Sequence, residues 1–168
     1  MNDGQNHNNR PLQFFDRAMS YHLTRTLFIP RSRQEVFAFF SDAANLEKIT
    51  PPFLHFHILT PDPLPMRAGT LIDYQIRLHG IPLRWRTRIE SFEPISSFTD
   101  SQLSGPYRRW VHRHDFADVP NGTEMRDHVE YELPFGPLGS ITHALFVRRS
   151  VNHIFDYRNA TILSIFAA

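Results

Sequence analysis

From Leu138 to Phe166 the chain carries no proline and a single glycine near the start. Apolar side chains return at intervals of three and four: Leu145, Val147, Val151, Ile154, Phe155, Ile162 and Ile165. That spacing predicts one long helix. At 1.5 Å per residue, roughly 27 residues make a rod on the order of 40 Å, long enough to cross a whole domain. A helix of that length with an apolar stripe must lie against a large apolar surface, and the rest of the chain has to supply it.

The surface on offer is a sheet. Tyr21 to Phe28 reads as a first strand, with Tyr21, Leu23, Thr24 and Thr26 suited to it and Pro30 ending it. Ser32-Arg33-Gln34-Glu35 is a capping box before the apolar run Val36, Phe37, Phe39, Phe40. Asp42 is a second N-cap candidate, for a helix through Leu46 and Ile49 that Pro51 and Pro52 stop. From His55 onward the period becomes two. After the loop Pro61 to Gly69, Ile72, Tyr74, Ile76 and Leu78 alternate with Asp73, Gln75, Arg77 and His79 up to a turn at Gly80. Leu83, Trp85, Thr87 and Ile89 then alternate with Arg84, Arg86, Arg88 and Glu90, so the arginines read as a solvated face. Strands over Ser97 to Leu103, Arg108 to Asp118 and Thr123 to Leu133 complete a set of about seven, the last two joined by the loop Val119-Pro120-Asn121-Gly122. The expected architecture is α+β: an antiparallel sheet curling around the terminal helix, with two short helices after the first strand. Residues 1–18, Asn-rich at their start and with a short helical lead-in at Leu12 to Met19, are expected to be an extension, and residues 19–168 the one domain.

At 168 residues the chain can bury a core without disulfides or metal staples, and it has no cysteine. Eighteen Lys and Arg against 17 Asp and Glu leave a formal charge of +1, which argues against a nucleic-acid footprint. Arg108, Arg109 and Arg113 with Tyr107 and Trp110 are the one cluster that suggests a stacking surface for single strands. No apolar run approaches the roughly 20 residues of a transmembrane span and the start lacks the pattern of a signal peptide, so a cytoplasmic location is expected. Fifteen Phe supply buried area and suit the lining of a cavity equally well.

Polar groups point inward in one place. Trp110, His112, His114 and Phe116 share one strand face, and Met125, Asp127, Val129 and Tyr131 share one on the next strand. If Asp118 pairs with Thr123, His114 falls opposite Asp127 and His112 opposite Val129. Such a buried His-Asp pair either satisfies itself or faces a cavity, where Asp127 would orient His114 for a hydrogen bond to a ligand or for acid/base work. The pairs His55/His57 and His112/His114 have a spacing used in some metal sites, but no third ligand is evident and no metal or other cofactor is expected. Arg158 lies on the stripe of the last helix, where it snorkels or reaches a cavity mouth. The signatures of dinucleotide, P-loop, serine-hydrolase and zinc-protease sites do not occur.

Phe39-Phe40-Ser41-Asp42-Ala43-Ala44-Asn45-Leu46-Glu47-Lys48-Ile49-Thr50-Pro51-Pro52 resembles the two-helix corner of bacterial cyclase/dehydrase-type members of the START-like (SRPBCC) superfamily. Gly105 to Phe116 and Asp127 to Pro134 are similar to strands of the same subgroup, described as cell-division-inhibitor related and also found fused to sugar-epimerase-like domains. The resemblance covers about residues 21 to 166. It implies a helix-grip fold and a family of lipid carriers, coenzyme-Q binders, hormone receptors and cyclases that share no catalytic motif. Binding of a small hydrophobic molecule, rather than catalysis, is the first expectation. Trp85, Trp110, Phe116, Tyr131, Val151 and Phe155 would line the cavity, with His112, His114 and Asp127 as its polar contacts. The alternative is a polyketide cyclase or dehydratase with His114 and Asp127 as acid and base, and a third is an arginine face, Arg84, Arg86 and Arg88, presented to an acidic partner. A homodimer or a separate sugar-epimerase-like partner is compatible with the resemblance.

Overall fold

The computed structural model describes residues 19–78, 80–134 and 141–167. The expected extension 1–18 with its helical lead-in, His79 and the start of the predicted long helix at 138–140 lie outside them. The chain runs β1 (Ser20–Ile29), α1 (Arg33–Phe40), α2 (Asn45–Lys48), a 3-10 turn (Pro52–Leu54), β2 (His57–Ile58), β3 (Leu71–Leu78), β4 (Ile81–Glu93), β5 (Ser97–Ser104), β6 (Arg109–Val119), β7 (Gly122–Glu132), a π-helical turn (His143–Val147) and α3 (Arg148–Ala167). The seven strands form one antiparallel sheet in the order β1-β7-β6-β5-β4-β3-β2. With the long helix on its inner face, this is the helix-grip arrangement expected from the sequence.

Period-two burial makes the sheet two-faced. In β7, Met125, Asp127, Val129 and Tyr131 are buried while Arg126 and His128 are exposed; in β4, Trp85, Thr87 and Ile89 are buried while Arg84, Arg86 and Arg88 are exposed. Arg86 holds Asp73 with two hydrogen bonds and Arg88 holds Glu90, so two of the three arginines proposed for an acidic partner are neutralised within the sheet. Register shifts between Arg86 and Thr87 and between Ile89 and Ser91 interrupt the β4–β5 pairing, the kind of irregularity that bends a strand and lets a sheet curl.

The capping box forms as read: Glu35 N donates to Ser32 Oγ at 3.3 Å and Ser32 N to Glu35 Oε2 at 3.1 Å. It starts α1, whose Val36, Phe37 and Phe40 enter a core with Ile29, Phe98, Phe116, Met125 and Ile162. Burying each such side chain contributes about 1.5–3 kcal/mol.

Four expectations are corrected. Asp42 does not cap α2: its carboxylate accepts the Ala44 N–H at 3.0 Å in the preceding turn, and α2 starts from Ala44 without a side-chain cap. His55 is not on a strand beside His57, because the 3-10 turn ends there with His55 at φ 42°; His57 pairs with Glu47 at the sheet edge. The last hairpin is tighter than a four-residue loop, since Val119 pairs with Gly122 and only Pro120 and Asn121, the latter at φ 66°, make the reversal. The π turn adds a residue to one turn of the terminal helix, which rotates the stripe and leaves Leu145 exposed instead of facing the sheet.

Candidate functional site

Between the curled sheet and α3 lies a cavity of about 200 Å³. Its walls are largely apolar: Ile72 and Ile76 from β3, Ile89 from β4, and Val151, Ile154 and Phe155 from α3. One side is a chain of rings. Tyr74 stacks on Trp85 at 5.7 Å, Trp85 meets Trp110 edge to face at 5.6 Å, and Tyr107 lies 4.8 Å from Trp110. Gln102 fixes Tyr107 by donating to its carbonyl and accepting its N–H. Tyr107 and Trp110 therefore face inward, while Arg109 and Arg113 pair with Glu130 and Asp115 outside; no stacking surface for a nucleic-acid strand results.

Opposite the apolar walls stands a polar ladder across three adjacent strands. The β6–β7 register places His114 opposite Asp127 and His112 opposite Val129, as the sequence reading requires. Period two puts both imidazoles on the inner face, their centroids 3.9 Å apart, with His114 stacked on Phe98 at 4.2 Å. His112 Nε2 lies 2.8 Å from Asp127 Oδ1 in a well-directed hydrogen bond. His114 Nδ1 lies 2.9 Å from the same oxygen, off the line of a good hydrogen bond. On the cavity side Asp100 of β5 brings its Oδ2 to 3.9 Å from His112 Nδ1 and 3.7 Å from His114 Nε2.

Burial sets the charges of this ladder against one another. Burial would raise the Asp127 carboxyl, but the two imidazoles hold it well below the usual carboxylate range. Desolvation, aided by the neighbouring His114, lowers His112. The same desolvation acts on His114, yet Asp100 and Asp127 outweigh it and raise that imidazole. Across the cavity the Arg158 guanidinium sits 5.8 Å from the Phe40 ring centroid and 5.9 Å from that of Phe155. Arg158 Nε and Trp85 Nε1 are buried donors with no hydrogen-bond partner among the described residues.

Of the residues singled out from the sequence, Trp85, Trp110, His112, His114, Val151 and Phe155 line the cavity together. Phe116, Asp127 and Tyr131 do not. Phe116 packs against Phe37, Phe40 and Phe98, Tyr131 packs with Val129, Val151 and Phe155, and Asp127 stands behind the imidazoles. Asp100 and Tyr74 line the cavity without a signal in the sequence that marks them, and Tyr107, expected with Trp110 in a stacking surface, lines the cavity instead. Asp100 shares a strand face with Phe98 and Gln102, a signal too polar to mark the face as inward.

No curated protein sequence matches the chain significantly. Among solved structures it is similar to the Zhui aromatase/cyclase from Streptomyces sp. R1128, with TM-score 0.69 and 14% identity over 89% of this chain and 94% of that one. It is also similar to a norcoclaurine synthase from Thalictrum flavum, with TM-score 0.61 and 12% identity over 88% and 96%. At those identities the likeness is one of fold. A nucleoside-diphosphate sugar epimerase from Corynebacterium glutamicum contains a similar segment, with TM-score 0.57 and 26% identity over 84% of this chain but only 28% of the epimerase. The profile described as polyketide cyclase / dehydrase and lipid transport matches residues 29–153, from the end of β1 into α3, and the chain belongs to that family.

Proposed function

We propose that the protein binds and carries a small hydrophobic molecule bearing a hydrogen-bond acceptor. The cavity carries this reading: its walls are mostly apolar, and two of its lining residues, Trp85 and Arg158, hold buried N–H donors without partners among the described residues. A ligand carbonyl, hydroxyl or carboxylate oxygen would accept from them. Size narrows the class. A cavity of about 150 Å³ suffices for benzene, so one of about 200 Å³ accommodates a compound of one or two rings. Native mass spectrometry of the purified protein, followed by organic extraction and titration with substituted aromatic acids and ketones, tests this. Failure of every such compound to bind a correctly folded protein would defeat it.

A second reading, a cyclase or dehydratase, is favoured by the imidazoles lining the same cavity with Asp127 behind them, an arrangement that can give and take a proton. Retention of turnover by both His114→Ala and Asp127→Asn, on whatever substrate is found, would remove it. The similarity to one segment of a sugar epimerase supports the cell-division-inhibitor-related subgroup and an epimerase-like partner, which co-purification of the two proteins would test.

A further inference from the structure

Going beyond the carrier reading, we propose that Asp100, His112 and His114 form a binding site for one divalent transition-metal ion, of the Zn²⁺ class, in the wall of the cavity. Three observations converge on it.

The first is geometry. In a tetrahedral site with metal–ligand distances of about 2.1 Å, ligand atoms lie about 3.4 Å apart. Asp100 Oδ2 is 3.9 Å from His112 Nδ1 and 3.7 Å from His114 Nε2, and one ligand atom from each of the three residues falls within 4.8 Å of the other two. The two Asp100 separations are too long for hydrogen bonds and exceed the tetrahedral spacing by only about 0.3–0.5 Å, a contraction of the carboxylate toward each imidazole that is within reach of side-chain torsions.

The second is what stands behind the imidazoles. Histidine ligands of metals characteristically direct their other ring nitrogen to a carboxylate, which fixes the tautomer and the ring orientation. Asp127 Oδ1 occupies that position for His112, with a directed hydrogen bond at 2.8 Å to its Nε2, and lies 2.9 Å from His114 Nδ1 in a poorly directed contact. It thereby leaves His112 Nδ1 and His114 Nε2 directed toward Asp100. Asp127 is a positioning residue, not a ligand.

The third is access. Asp100, His112 and His114 all line the cavity, so the remaining coordination position opens toward it. Two histidines and one carboxylate with an open position are a ligand set that binds zinc or ferrous iron and leaves room for a water or a ligand oxygen.

The test uses the full chain, treated with chelator and titrated with Co²⁺ under anaerobic conditions, then competed with Zn²⁺. One Co²⁺ per chain with the visible absorption of a low-coordinate ion is expected, displaced by Zn²⁺. Asp100→Asn, which preserves shape, should weaken binding at least tenfold, and Asp127→Asn by about 10–100-fold, the range for residues behind metal ligands. His57→Gln, at the surface pair with Glu47, should leave it unchanged. Absence of stoichiometric Co²⁺ binding by folded wild-type protein, or equal affinity in Asp100→Asn, overturns the proposal. Should a variant not fold, imidazole ¹⁵N resonances of the wild-type protein decide: Zn²⁺ must shift His112 Nδ1 and His114 Nε2, and unmoved resonances overturn it. Binding of aromatic acids by the chelated protein is measured separately, so the carrier reading and the metal site fail on different experiments.

Discussion

Replacing Asp127 with asparagine removes one charge from the inner face of the sheet and almost no volume. Asp127 accepts a well-directed hydrogen bond from His112 at 2.8 Å and a second, poorly directed contact from His114 at 2.9 Å, and all three side chains are at most 5% exposed. A hydrogen bond to a charged group contributes about 1.5–3 kcal/mol and a neutral one about 0.5–1.5 kcal/mol. Summed over the two contacts, and with an amide N–H₂ left among buried groups, the loss comes to about 2–4 kcal/mol. In a chain of this length each kcal/mol lowers the melting temperature by about 2–4 °C, so a fall of about 5–15 °C is expected. Asp115→Asn is the internal comparison: it breaks an ion pair with Arg113 whose side chains are 50% and 35% exposed, worth less than about 1 kcal/mol. Urea unfolding in the presence of chelator, followed by tryptophan fluorescence, measures both without a contribution from metal. A loss under about 0.5 kcal/mol for Asp127→Asn, or one equal to that of Asp115→Asn, would refute the view that the buried carboxylate organises the ladder.

Gly122→Ala should destabilise by about 2 kcal/mol or more, because a Cβ there meets Ile29 O at 2.3 Å and Pro30 Cα at 3.0 Å, backbone atoms that cannot move aside; wild-type stability in the same urea assay would contradict this. Ser32→Ala removes the N-cap oxygen of α1 and should cost about 1 kcal/mol, read from the denaturation midpoint. Both tryptophans of the chain, Trp85 and Trp110, line the cavity, so a ligand that enters it should change the emission of the whole protein, whereas a surface binder should not. Arg158→Gln should weaken binding of aromatic carboxylates about tenfold or more while leaving unsubstituted hydrocarbons unaffected, as calorimetry can measure; equal losses for both would show that Arg158 acts only through packing.

Much of the fold was legible because it follows from local rules. The alternation of Leu83, Trp85, Thr87 and Ile89 with three arginines assigns two faces to β4, since a strand turns each successive side chain over. Pro120 and Asn121 sit in a loop short enough to fix the β6–β7 register, and with it the meeting of His114 and Asp127. The proline-free stripe from Val147 onward specifies a helix that needs a sheet beneath it. Local rules also misled where an extra residue intervened: the π turn at His143–Val147 shifts Leu145 off the stripe, which the apolar spacing alone does not reveal.

The sequence by itself therefore determined the elements, their order, the inward face of the last hairpin and the pairing within it. Only the tertiary structure decided what that face looks onto. Asp100 joins the histidines through the β5–β6 pairing, in which it lies opposite His112 across a connection whose length sets no register by itself, and Arg158 reaches the same space from a helix nearly sixty residues beyond. The cavity likewise depends on how far a bent sheet stands from α3. That distance is set by the summed volumes of Phe37, Phe98, Phe116 and their neighbours packed at one end of the fold, a property of many contacts at once that no single stretch of chain contains.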